Sequence, residues 1–256
     1  MVLRNILQAP VRSVLNTVIP TFGEGESDPD FASVTALYGF NQANFDSGVN
    51  NDGSLGVGSV FNSGVAPDTG TVLDGLASGE FNQNGLGSND GILIGTTDAA
   101  IGVNSSVDFT LECWLFVPNA QSDLSTIFSH GTASATLRLI MSLYEPGDAT
   151  KPGQFELVLG ASTIINSADD SYPVDTWFHF ALASTSGSME IYADGARVIN
   201  TSQNLNRTGD MLTGRHNVLS QPLSGPAFMD EMRITKGVKR YTGATLTVPS
   251  FPLPRS

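Results

Sequence analysis

Residues 177–183 (WFHFALA) are apolar at nearly every position, as in a strand covered on both faces. Just beyond, Met189, Ile191 and Ala193 alternate with Glu190, Tyr192 and Asp194, the period-two pattern of a strand with unlike faces. Ser186-Gly187 supplies a turn between the two. Asp194-Gly195 is the dipeptide of a type I′ hairpin leading into a third strand over 196–199. Three strands joined by short turns make an antiparallel meander, and its apolar faces need a second sheet to cover them.

Similar patterning recurs along most of the chain. Strands are expected over 34–45, 109–117, 125–129, 136–144, 155–159, 162–166, 216–220 and 227–235, with shorter apolar pieces at 57–61, 72–76, 79–81 and 92–94. Segments 46–54, 145–153 and 204–215 are polar or rich in turn residues and read as loops. The ends differ. Val2, Leu3, Ile6, Leu7, Val11, Val14, Leu15 and Val18 form a near-helical stripe broken at Pro10. Such a stripe is either a helix packed on its own domain or an arm docking onto another subunit. Residues 21–30 form a polar linker. The Pro-rich segment 248–254 cannot donate a full ladder and should lie extended over the surface or on a neighbour. The expected organisation is an N-terminal docking arm and linker over 1–33, a β-sandwich over 34–247 and an extended tail over 248–256.

Composition narrows the class. The 256 residues include 27 Gly and 13 Pro, and only 14% are charged, which suits many short strands joined by turns. An apolar fraction of 40% can fill a core. The formal charge of −13 argues against binding by phosphate neutralisation, so no nucleic-acid partner is expected. Cys113 is the only cysteine; the fold must rest on packing, and a buried inert thiol is expected. No apolar run approaches the ~18 residues of a membrane span. Arg4, Gln8, Pro10, Arg12 and Asn16 interrupt any signal-peptide core, so secretion by that route is not expected.

Three segments carry a family resemblance. Residues 108–118 (DFTLECWLFVP) are similar to a "DFTIEAWVYP" strand of laminin-G-like, concanavalin-A-like jelly rolls. The order Trp177-x-His179, apolar strand, short turn, Ile191-Tyr192 and Asp194-Gly195 resembles the same family. Residues 228–242 (FMDEMRITKGVKRYT) are similar to "GYIDELRITKGVARYT", the closing strand and tail of versions common in tailed-phage virion proteins. The resemblance spans roughly 34–254. It implies an all-β antiparallel sandwich and a non-enzymatic virion component, either capsid decoration, fibre or tail-associated adhesion module. It would dock through Leu3, Ile6, Leu7, Val11, Val14, Leu15 and Val18 onto other virion proteins, associate as a homo-oligomer and display a surface that binds cell-surface glycans. The alternatives are a free carbohydrate-binding lectin and a glycoside hydrolase.

Candidate chemistry is sparse. Glycoside hydrolysis needs two carboxylates facing one cleft, and Glu-x-Asp-x-x-Glu is the strand pattern that would supply them. Nothing matches: Asp230 and Glu231 should point to opposite faces, Asp169 and Asp170 read as turn residues, and Glu112 and Glu190 stand alone. No enzyme activity is expected. His130, His179 and His216 lie too far apart for a local zinc motif, and His179 should make a structural hydrogen bond. The resemblance also implies calcium as a possible cofactor, with Asp46, Asn51, Asp52 and Asp230 offering hard oxygens; Asx turns at Asp46 and Asp52 are the alternative. For sugar stacking the candidates are Tyr144, Tyr172 and Tyr241, which lie near loops, while Trp114 and Trp177 are assigned to the core.

Overall fold

The structure, a computed structural model, describes residues 28–40, 60–61, 65–73, 77–81, 92–95, 107–119, 125–131, 138–144, 146–161, 163–202, 209–214, 227–251 and 253. After a single 3-10 turn (Phe31–Ser33), the described elements are all strands: β1 (Val34–Tyr38), β2 (Val60–Phe61), β3 (Val65–Asp68), β4 (Ser78–Phe81), β5 (Ile92–Gly95), β6 (Phe109–Phe116), β7 (Ser125–Gly131), β8 (Arg138–Leu143), β9 (Phe155–Leu159), β10 (Thr163–Asn166), β11 (Trp177–Ser184), β12 (Met189–Ala193), β13 (Ala196–Thr201), β14 (Asp210–Thr213) and β15 (Ala227–Lys236). Among the described residues no helix is long and apolar enough to cross a membrane.

The strands form two antiparallel sheets. One runs β13-β12-β11-β6-β15-β4-β3, with β1 also paired to β15; the other runs β10-β9-β8-β7-β14-β5-β2. Alternation decides what lies between them. Phe109, Leu111, Cys113 and Leu115 of β6, Phe178, Phe180 and Leu182 of β11, and Met229, Met232 and Ile234 of β15 face Phe155, Leu157 and Leu159 of β9 with Ile92, Ile94 and Met211 in one buried cluster. Two-residue periodicity sends the β6 and β11 side chains to one side of the first sheet, and in β15 a bulge keeps Met229, Met232 and Ile234 on that same side. Each buried Phe or Leu contributes about 2 kcal/mol by leaving water, so the shared interior is the main stabilising term.

The expected meander is present. β11 pairs with β12, and β12 with β13. Asp194 (φ 46°) and Gly195 (φ 88°) both adopt the left-handed conformation that the type I′ turn requires. Three expectations need correction. Both faces of β12 are buried, Glu190 and Tyr192 included, because later chain covers the outer side. The polar stretch 204–215 contains a strand, β14, held between β7 and β5. β15 carries a bulge between Asp230 and Arg233, with Glu231 at φ 47°. Met229 and Met232 both reach the core, so Asp230 and Glu231 leave the core together rather than pointing to opposite faces.

At the end of β14, Gly214 (φ 69°) donates its N–H to Ile127 O at 2.9 Å, and a Cβ there would run into the Phe81 ring. Gly214→Ala should therefore cost roughly 2 kcal/mol or more, combining backbone strain with overpacking. An unchanged denaturation midpoint would show that this contact does not exist in solution.

Candidate functional site

The outer face of the first sheet carries the polar residues. Its register sets them in rows across the strands. Ala183, Thr110 and Thr235 form one, Ala181, Glu112 and Arg233 the next, then His179, Trp114 and Asp230, and finally Trp177, Phe116 and Phe228. Glu112 is fully buried. Its Oε1 accepts from Arg233 Nε at 2.9 Å, and its Oε2 lies 3.1 Å from His179 Nε2 and accepts from the Tyr241 hydroxyl. The expectation of a structural hydrogen bond at His179 is met in this contact. Arg233 Nη1 also donates to Asp28 at 2.8 Å, and Arg240 clamps the same carboxylate at 2.7 and 2.8 Å. Asp28, assigned from sequence to the linker, thus belongs to the sandwich.

The basic segment after β15 closes this face. Gly237 N donates to Asp108 O at 2.6 Å and Arg240 N to Thr110 Oγ1 at 2.9 Å, turning the chain back across β6. Lys239 then pairs with Glu190 at 2.6 Å, as does Arg197. Leu246 packs on Ala181, Ala183 and Tyr192. Its N–H donates to Gly195 O at 2.8 Å, and Arg197 N donates to Ala244 O at 3.0 Å. Farther on, Phe251 meets Trp114 edge-on at 6.0 Å, and Leu253 N donates to Glu231 Oε2 at 3.3 Å. Glu112 and Glu190, which stand alone in the sequence, are hubs here. Their partners lie up to 129 residues away, beyond any local motif.

The electrostatics follow from this enclosure. Burial by itself pushes the Glu112 carboxyl up, but His179, Arg233 and Tyr241 outweigh it and hold the group down at about 2. Asp28 and Glu190 are likewise held below the ordinary carboxylate range by their Arg and Lys partners, against the opposing effect of burial. Burial and the Glu190 carboxylate beside it push the Tyr192 phenol up to about 12. Burial and the adjacent Glu112 charge drive the Tyr241 phenol upward too. These groups tie Asp28 and residues 239–241 to the outer face of the sheet.

The other candidates separate. Tyr172 is only 5% exposed, stacks on Phe178 at 5.7 Å and donates its hydroxyl to Tyr144 O, so its ring offers no face to a sugar. Tyr241 is committed to Glu112. Tyr144 has Lys151 Nζ 4.4 Å from its ring centroid and donates its hydroxyl to Glu156 at 2.7 Å. The three tyrosines form no common site. Trp114 and Trp177 are half-buried on the outer face rather than in the interior. Asp230 is buried, and its Oδ1 accepts from Glu231 N at 2.9 Å. Among the described residues no three His, Cys, Asp or Glu side chains gather as a metal-ligand group. Asp46, Asn51 and Asp52 lie outside the described residues, as do Leu3, Ile6, Leu7, Val11, Val14, Leu15 and Val18. Sequence reasoning missed Phe116, whose outward alternation with Leu115 and Val117 was the available signal.

The clasp makes stability depend on acid. A carboxyl with an unfolded value near 4.5 and a folded one of about 2 contributes fully above the former and loses its contribution as pH falls toward the latter. For Glu112 this amounts to something on the order of 3 kcal/mol. The melting temperature should fall steeply between about pH 5 and pH 3. Glu112→Gln should start lower at neutral pH and fall less steeply, since Asp28 and Glu190 still titrate. Equal slopes in the two proteins would remove Glu112 from this role.

Comparison with known proteins agrees with this architecture. Domain 4 of AbnA, a GH43 extracellular arabinanase from Geobacillus stearothermophilus, in complex with arabinotriose, superposes with a TM-score of 0.53 at 17% identity, covering 84% of this chain and 94% of that one. Trypanosoma rangeli sialidase in complex with 2,3-difluorosialic acid gives 0.56 at 12% identity, covering 80% of this chain but 31% of the sialidase. The botulinum neurotoxin serotype D binding domain gives 0.54 at 10% identity, covering 81% and 49%. At these identities the likeness shows the fold. No curated protein matches the sequence. The model of the concanavalin A-like lectin/glucanases superfamily matches residues 86–239, more than half the length, and the chain belongs to that superfamily.

Proposed function

We propose that this chain is a non-enzymatic carbohydrate-binding module of a tailed-phage particle, a capsid decoration, fibre or tail-associated adhesion protein. The observation that carries the non-enzymatic part is the commitment of Glu112, Glu190 and Asp28 to Arg197, Arg233, Lys239 and Arg240 of the same chain. General acid–base work needs a carboxyl free to exchange protons near the working pH, and these are held far below it. Carbohydrate binding is supported by superfamily membership and by a similar fold in an arabinanase domain bound to arabinotriose. The virion setting draws on the resemblance of residues 228–242 to phage versions of the domain and on the apolar stripe from Leu3 to Val18.

One observation favours a hydrolase instead. The Glu80 carboxyl is raised by partial burial and by the neighbouring Asp68 charge, the direction a general acid requires. Against it, Asp68 Oδ2 is occupied by the N–H groups of Gly70 and Thr71 in its own turn.

Two experiments test the proposal. A panel of plant, animal and bacterial oligosaccharides should yield at least one ligand, with no reducing sugar released over prolonged incubation. No ligand, or release abolished by Glu80→Gln, would overturn it. Removing residues 1–27 retains Asp28 and should leave the melting temperature nearly unchanged while abolishing incorporation into particles; full incorporation would rule out docking through the arm.

A further inference from the structure

We propose that the sugar site is the aromatic row Trp177–Phe116–Phe228 on the outer face of the first sheet, bounded by Glu80 on one side and by Asp175 and Asn119 at its end. This rests on the carbohydrate-binding reading and gives it a location.

The row comes from register. Trp177 pairs with Phe116, Phe116 with Phe228, and Phe228 with Glu80, on the four neighbouring strands β11, β6, β15 and β4. Ring centroids are 5.7 Å apart between Trp177 and Phe116 and 5.8 Å between Phe116 and Phe228. The interior beneath is already filled by Leu115, Phe178 and Met229, so these rings are not needed to complete it. Among the described residues, the tail's ring contact on this side is Phe251 with Trp114, one row away. Phe116 and Trp177 are half-buried, and Phe228 is buried at 9%. A partly accessible aromatic row beside polar groups has the make-up of a ligand site, apolar faces with a few placed polar groups.

The rim supplies the complementary chemistry. Sugars present C–H faces that stack on aromatic rings and hydroxyls that hydrogen-bond carboxylates and amides. Glu80 stands half-buried beside Phe228. At the other end, Asp175 and Asn119 are both exposed, and Asn119 N donates to Asp175 Oδ1 at 2.9 Å. Asp175 N donates to Val117 O at 2.9 Å, and its φ of 54° fixes a tight turn two residues before Trp177. The Asp175–Asn119 end is therefore preorganised. Three strand spacings from Trp177 to Glu80 amount to roughly 14 Å, the reach of a short oligosaccharide. The rings are tilted by 59° and 77° to one another, so the floor is stepped and suits a twisted glycan strand better than a flat one.

The test uses the full chain with the same oligosaccharide panel, arabinotriose and sialyllactose included, read by calorimetry and tryptophan fluorescence. A bound glycan should perturb Trp177 emission. Trp177→Ala and Phe116→Ala should each weaken binding about tenfold or more, and Glu80→Gln should weaken it several-fold, while Tyr144→Phe leaves it unchanged. If either alanine variant fails to fold, Trp177→Leu and Phe116→Leu, which keep bulk but remove the ring, must show the same weakening. Wild-type binding retained in folded ring variants would overturn this location and leave the proposed function standing. No binding by the wild-type chain would overturn both.

Discussion

A carboxylate sealed away from water must find its hydrogen-bond partners and counter-charge inside the protein, and Glu112 draws them from three separate stretches of chain. His179 comes from the adjacent strand, Arg233 from the closing strand, and Tyr241 from the segment that follows. Arg233 and Arg240 then bind Asp28, at separations of 205 and 212 residues. Docking the tail and neutralising the buried acid are the same event. A buried ion pair of this kind adds little net stability against an apolar equivalent, but breaking one partner is costly because the other is left charged in a dry place. Its value lies in fixing one arrangement: the tail fits in one register, with Lys239, Arg240 and Tyr241 each opposite its own acceptor.

That arrangement divides the outer face into two parts. Around Glu112 and Glu190 the sheet is covered by its own chain, and the charges there are balanced. At the far end of the same strands the described cover reaches Phe251 over Trp114, and the next row is aromatic, with Phe116 and Trp177 only partly buried. The consequence for function is direct. Glu112, Glu190 and Asp28 are engaged by cations of the same chain, whereas Trp114, Phe116 and Trp177, in runs that suggest core packing, face outward.

Much of the sandwich was legible in the sequence because strand alternation is local. The meander from Trp177 to Thr201, its Asp194-Gly195 turn and the β6 strand needed only neighbouring residues to be recognised. What the sequence hid was whatever depends on a third layer. Glu190 and Tyr192 look like a solvent face until Lys239 and Leu246 are laid over them. The polar run containing β14 looks like a loop until β7 and β5 flank it. The bulge at Glu231 breaks the alternation on which any face assignment rests. The candidate site suffered most: Trp114 and Trp177 sit in runs so apolar that inward and outward positions are indistinguishable by composition.

The self-covering tail can be probed amide by amide with hydrogen exchange on the full chain at neutral pH. The N–H groups of Arg240 and Leu246, bonded to Thr110 Oγ1 and Gly195 O, should exchange as slowly as those of β6 and β11. If those tail amides exchange at the rate of an unstructured peptide while β6 stays protected, the tail does not rest on this sheet and the division of its face is wrong.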